Sequence, residues 1–258
     1  MRLTPATDVA GPQRGHARLP TLTVHAVVLW HAVLDAGRDD IARLTALLEE
    51  SERVRVLRLA TDRLRRRQVM ARGLLRLLLG HYTATDPRAV RLLSGPHGKP
   101  ALAAGASLHF NVAHSGERAL FALADSRPVG VDLEAVARPI DVLGVAAHAF
   151  SPDEQALLRS APEGARVDVF YRLWTRKEAY VKARGSGLTY PMRSFTVSAR
   201  ADDDDTLVAD HLAPDACADW RVRSVAAPEG YCAALAAAGR DWTVIDAGEL
   251  SPDATPGF

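Results

Sequence analysis

Branched and apolar side chains run almost unbroken through residues 21–30 (TLTVHAVVLW), the pattern of a buried strand rather than an amphipathic helix. A turn at residues 36–40 follows. Leucines then recur at helical spacing over 41–59, and Asp62 is placed to cap a second helix running to about Gly80. On that second helix Leu64, Ala71, Leu75 and Leu78 share one face, while Arg65, Arg66, Arg67, Arg72 and Arg76 share the other. Such a face is either a solvated surface or an anion-facing wall, depending on what lies opposite. Beyond a turn marked by Gly95, Pro96, Gly98 and Pro100, strands are predicted at 108–112 and 119–124, joined through His114, Ser115 and Gly116. A third is predicted at 129–133. Residues 168–184 read as a helix packed through Phe170, Leu173, Trp174 and Val181 and stopped by Gly185 and Gly187. Further strands are expected at 194–198, 220–225 and 231–236, with Asp202 to Asp205 at a hairpin tip.

Two stretches of the chain resemble each other. LHFNVAHSGERALFALA, from Leu108, and WRVRSVAAPEGYCAALA, from Trp220, both read strand, turn, strand, and both follow a long helix. Either the likeness is chance, or the protein is two similar α+β lobes with a ligand cleft between them. On the second reading residues 21–126 form one lobe and 127–248 the other. Residues 1–20, rich in Pro and Gly, read as a disordered leader without the apolar stretch of a secretion signal, and 249–258 as a loose tail.

Composition narrows the field. Of 258 residues 48% are hydrophobic and 24% charged, enough for a packed core and too apolar for a disordered chain. The formal net charge is +1, so no whole-molecule field recruits nucleic acid or an anionic membrane, and no apolar run is long enough to span a bilayer. Cys217 and Cys232 fit neither a zinc site nor a disulfide framework, and a reducing, cytoplasmic setting is expected. Only three of the 32 basic residues are lysine, Lys99, Lys177 and Lys182, and all three fall in the segments richest in candidate chemistry.

In GVDLE, residues 130–134, strand alternation turns Asp132 and Glu134 to the same side. Two carboxylates about 4 Å apart repel by about 4 kcal/mol at an effective dielectric of 20, unless a cation or proton relieves them. An exposed edge strand carrying alternating acids is the plainer alternative. In WTRKEAYVKARGSGL, residues 174–188, Glu178 and Lys182 stand four apart on one helix face, as an ordinary surface ion pair would. Taken together, Asp132, Glu134 and Glu178 would suit Mg²⁺ completed by water and phosphate oxygens, with Lys182 beside the phosphate, which reads as a pyrophosphate site. Ser151 and Glu154 in FSPDEQALL also form the signature of a helix capping box.

With HGKPAL (97–102) and FNVAHSG (110–116) preceding them in this order, these motifs resemble those of the surfactin-synthetase-activating class of 4'-phosphopantetheinyl transferases. The likeness extends from about residue 21 to about 248, with the specific motifs between His97 and Leu188. It implies a pseudo-dimer of two α+β lobes that moves phosphopantetheine from coenzyme A onto a serine of an apo acyl or peptidyl carrier protein, using Mg²⁺. It implies that Asp132, Glu134 and Glu178 bind the metal, Lys182 the pyrophosphate, and Lys99 and His114 the nucleotide end. It makes Trp174 a shaping residue and Glu154 a base for the serine, a role that Glu134 or a metal-bound water could equally fill. Ala113 stands where such enzymes often have serine, and residues 53–58 supply arginines where they often have lysines, in inexact register. A monomer is expected, since duplicated lobes form the cleft within one chain. The competing enzyme reading is a Mg²⁺-dependent hydrolase of coenzyme A or a nucleotide pyrophosphate; a nucleic-acid-binding arginine helix is disfavoured by the near-neutral charge.

Overall fold

The computed structural model describes residues 19–253, apart from Pro96, Ala104, Gly105, residues 137–139, Asp202, Asp204 and the side chain of Leu188. Most of the leader read into residues 1–20, and the tail from 254 onward, lie outside the described residues.

The chain runs through nearly the same sequence of elements twice, the second pass adding one short α-helix. First come β1 (Ala26–Val33), α1 (Arg38–Thr45), α2 (Glu50–Leu57) and the long α3 (Asp62–Thr83), then the hairpins β2 (Leu92–Ser94) with β3 (Pro100–Leu102) and β4 (Leu108–Ser115) with β5 (Arg118–Asp125). Next come β6 (Val129–Ala135), α4 (Val142–Ala149), α5 (Pro152–Ser160) and the long α6 (Glu163–Arg184). The pair β7 (Phe195–Val197) and β8 (Leu207–Asp210) follows, then α7 (Ala216–Asp219) and the pair β9 (Trp220–Ser224) and β10 (Tyr231–Ala238). In one sheet β5 lies between β1 and β4; in the other β10 lies between β6 and β9. The segments that resemble each other are thus equivalent hairpins in two α+β lobes.

The last strand, β11 (Thr243–Glu249), departs from this symmetry. It returns to the first lobe and pairs in parallel with β1, from Ala26 opposite Thr243 to Leu29 opposite Asp246. The chain is still anchored at the start of the expected loose tail: Leu250 is buried in the first lobe's core and its N–H donates to His31.

The apolar strands lack polar alternation because both faces are covered. In the first lobe Val28, Trp30, Phe121 and Leu123 pack on α3 through Leu74, Leu75 and Leu78. The opposite face, Val27, Leu29, Leu120 and Ala122, meets Val131, Leu133 and Leu235 of the second lobe in a shared core. Behind the second sheet, Phe170, Leu173 and Tyr180 of α6 form a third core, where Trp174 stacks on Phe170.

Three local expectations are corrected. The leucine pattern at 41–59 is two helices, because Glu49 and Glu52 form a reciprocal capping box that starts α2. Thr61, not Asp62, caps α3 by accepting from Leu64 N–H, and Leu64 is exposed. Arg76 does not share a solvated face: α2 and the segment after α3 enclose it completely, with Glu52 2.7 Å from Nε and the carbonyls of Pro87 and Val90 both accepting from Nη1. Each of its polar contacts offsets the cost of burying a guanidinium.

Candidate active site

Strand β6 lies at the edge of its sheet, beside β4 of the other lobe. Side chains join the two strands: Asn111 Oδ1 accepts from Val131 N–H at 2.8 Å and, four residues on, Ser115 Oγ accepts from Ala135 N–H at 3.0 Å. Ser115 Oγ in turn donates to Glu134 Oε2, also at 3.0 Å. Behind β6 runs α6, drawn close because Gly130 has no side chain. Edge strand and long helix therefore bring their acids together from opposite sides.

Lys182 Nζ donates to Asp132 Oδ1 at 2.5 Å. Asp132 is only 2% exposed, and its Oδ2 is buried with no hydrogen-bond partner. Burial pushes the Asp132 carboxyl up to about 7 against the pull of Lys182, and the charges of Glu134 and Glu178 push the same way. Burial likewise raises Glu178, opposed by Lys182 and reinforced by Glu134. Four groups named from the sequence, Asp132, Glu134, Glu178 and Lys182, thus share one electrostatic neighbourhood.

Among the described residues no three His, Cys, Asp or Glu side chains are already arranged as a metal cage, and the Lys182 ammonium holds the near oxygen of Asp132. The donor set nonetheless fits a hard divalent cation: it is all carboxylate oxygen, and the unpartnered Oδ2 of Asp132 is a buried acceptor that a cation would satisfy.

His114, near the end of β4, lies within electrostatic range of Lys182 and Glu134. Burial, with the positive charges of Lys182 and Arg72, lowers its pKa, while Glu134 opposes the shift. A cavity of about 110 Å³ opens beside it, lined among others by Gln68, Arg72, Asn111 and Pro100. The arginine face of α3 is therefore divided. Arg67 pairs with Asp35 and Arg66 with Asp62, Arg76 is internal, and Arg72 turns toward the cleft.

Two predicted residues lie elsewhere. Lys99 Nζ donates to the carbonyls of Val129 and Ala183, at 2.8 and 3.3 Å, tying the start of β6 to the last turn of α6. Burial lowers its pKa to about 8, and it lines a separate cavity of about 450 Å³ with His109 and Arg184. Glu154 is enclosed in the second lobe. It accepts from Ser151 N–H in a complete capping box, from Val197 N–H at 2.7 Å, and from Lys177 Nζ at 2.7 and 2.8 Å. The capping role is realised, and the carboxylate has its donors already and does not join the Asp132 cluster.

Sequence reading missed Ser115, Asn111 and the part played by Lys177. For the first two a signal existed: strand alternation puts residues 111, 113 and 115 on the β4 side opposite His114.

Fold and site together define a two-lobed α+β protein with three carboxylates and a lysine gathered where its halves meet. Residues 128–236 match the model of the 4'-phosphopantetheinyl transferase superfamily, and residues 35–126 match that of a 4'-phosphopantetheinyl transferase N-terminal domain. The chain is 33% identical to the 4'-phosphopantetheinyl transferase HetI of a Nostoc species, over 86% of this chain and 92% of that one. It is 32% identical to a 4'-phosphopantetheinyl transferase of Bacillus subtilis, over 81% and 89% of the two chains, and 30% identical to the transferase Sfp of the same species, over 68% and 75%. The chain belongs to the 4'-phosphopantetheinyl transferase superfamily and is an enzyme of its two-lobed, Sfp type.

Proposed function

We propose that the protein transfers the 4'-phosphopantetheine arm of coenzyme A to a serine of an apo acyl or peptidyl carrier protein, acting as a monomer. The observation that supports this reading best is the meeting of Asp132, Glu178 and Lys182 at the joint between the lobes of a chain that belongs to this family. In the reaction the serine oxygen attacks the β-phosphorus of coenzyme A. The bond to the bridging oxygen breaks, and adenosine 3',5'-bisphosphate leaves with the displaced electron pair. No covalent bond to the enzyme is required, so positioning and electrostatics do the work.

Asp132, Glu134 and Glu178 would hold Mg²⁺. When bound, the ion supplies positive charge against the diphosphate and its leaving oxygen. Lys182 presents an ammonium to the same diphosphate once it turns from Asp132, which its 31% exposed side chain can do. His114 and Arg72 give the opposite wall donors for the nucleotide end. Lys99 acts through the fold, holding β6 against α6. The serine proton passes to a carboxylate of this cluster rather than to Glu154, which is enclosed by its own donors.

The test is intact-mass measurement of an apo carrier protein incubated with this protein, coenzyme A and Mg²⁺. The expected result is a gain of one phosphopantetheine, lost on addition of EDTA. Consumption of coenzyme A at the same rate with and without carrier, and no mass gain, would instead establish a hydrolase.

A further inference from the structure

We infer that Ser115 is a positioning residue that fixes which oxygen of Glu134 faces the cleft; this rests on the proposed role of Glu134. The hydroxyl has one hydrogen to give. Ala135 N–H donates to its oxygen at 3.0 Å, which orients the group, and the remaining hydrogen goes to Glu134 Oε2 at 3.0 Å. Glu134 and Ala135 are neighbours on β6, so one hydroxyl grips both the backbone and the carboxylate at the same point of the strand. A glutamate side chain has three rotatable bonds and here stands half-buried, so this contact limits its rotamers and engages Oε2, leaving for the cleft Oε1, which makes no hydrogen bond among the described residues.

Ser115 is well placed to impose this because its own backbone is fixed. It is the last residue of β4, paired with Arg118 across the hairpin. The next residue, Gly116, has φ +57°, and a Cβ there would lie 2.7 Å from the Tyr231 hydroxyl of the other lobe. The tip of the first lobe's hairpin is thus seated against β10, and Ser115 carries that alignment to the carboxylate. Asn111 repeats the backbone half of the contact four residues earlier, at Val131, and among the described residues makes no hydrogen bond to an acid.

The experiment measures Mn²⁺ binding by the metal-free protein, by electron paramagnetic resonance without coenzyme A, alongside kcat and KM. Removing a group that orients a metal-binding side chain typically costs about 10-fold or more in metal affinity or activity. Ser115→Ala is therefore expected to weaken Mn²⁺ about 10-fold and lower kcat, with KM for coenzyme A little changed. Ser115→Thr and Ser115→Val match each other in shape and differ in the hydroxyl; Thr should keep Mn²⁺ affinity and Val should lose it, even if the alanine protein does not fold. In a Glu134→Gln background Ser115→Ala should add nothing. Equal Mn²⁺ affinity in the Thr and Val proteins, or a full additional loss in the Glu134→Gln background, overturns the inference while leaving the metal site standing. Failure of the parent protein to bind Mn²⁺ at all overturns the reading of Glu134 on which the inference rests.

Discussion

A methyl group added to Gly130 would lie 2.2 Å from the backbone nitrogen of Ala183. The same methyl would sit 2.3 Å from Ala179 O, so both obstacles are backbone and neither can swing aside. This contact sets the spacing between the strand that carries Asp132 and the helix that carries Glu178 and Lys182. Gly130→Ala should cost at least the 1 to 3 kcal/mol or so of ordinary overpacking, and should lower Mg²⁺-dependent transfer in whatever protein remains folded. Denaturant titration and the carrier mass assay read the two effects.

Asp132→Ala and Glu178→Ala should each abolish transfer while leaving the fold intact. Burial disfavours the charged form of both acids, and the side-chain partner of Asp132, Lys182, is partly exposed rather than part of the core. Circular dichroism and the mass assay on the same samples decide it; near-normal transfer in either variant rejects the metal assignment.

The raised pKa of Asp132 also predicts a pH dependence. Between its ordinary value of 3.8 and about 7 the folded protein holds a proton that the unfolded chain has released. Stability from this group is present in acid and lost as pH rises through about 7. In EDTA, Asp132→Asn should therefore melt above the parent at pH 8, by a margin that narrows at pH 5. The opposite ordering would mean that the Lys182 pair outweighs burial.

Removing one partner of a buried ion pair strands the other. Glu154→Ala leaves the fully buried Lys177 ammonium without its carboxylate and should cost about 3 to 5 kcal/mol. Glu154→Gln keeps an acceptor for Lys177, and where folded it should retain transfer, since the side chain lies outside the Asp132 cluster. Loss of kcat at unchanged stability would restore Glu154 as the base.

Lys99→Met removes a charged donor shared by two carbonyls and should destabilise by about 1 to 3 kcal/mol. KM for coenzyme A should rise less than it does for His114→Ala. A greater rise would place the ammonium on the ligand instead.

How much of this was legible in the sequence follows from the range of each interaction. GVDLE and the Glu178–Lys182 spacing act within one strand and one helical turn, so strand and helix periodicity alone put those side chains on the correct faces. The duplicated hairpins were legible for the same reason. Arg76 and Lys99 were not, because their partners lie on other elements: Glu52 for the first, and Val129 and Ala183 for the second. Glu154 shows both cases at once. Its capping box is local and readable, whereas its ion pair with Lys177 spans 23 positions and exists only after α5 docks on α6.

The return of β11 to β1 bears on how the molecule can be taken apart. Although the two lobes repeat one plan, the second half ends inside the first half's sheet, so a cut near residues 126–128 would leave the first fragment with a bare apolar flank along β1. Separately expressed halves should stick to one another or aggregate, and a circular permutant that keeps residues 243–250 next to β1 is the sounder way to divide the protein.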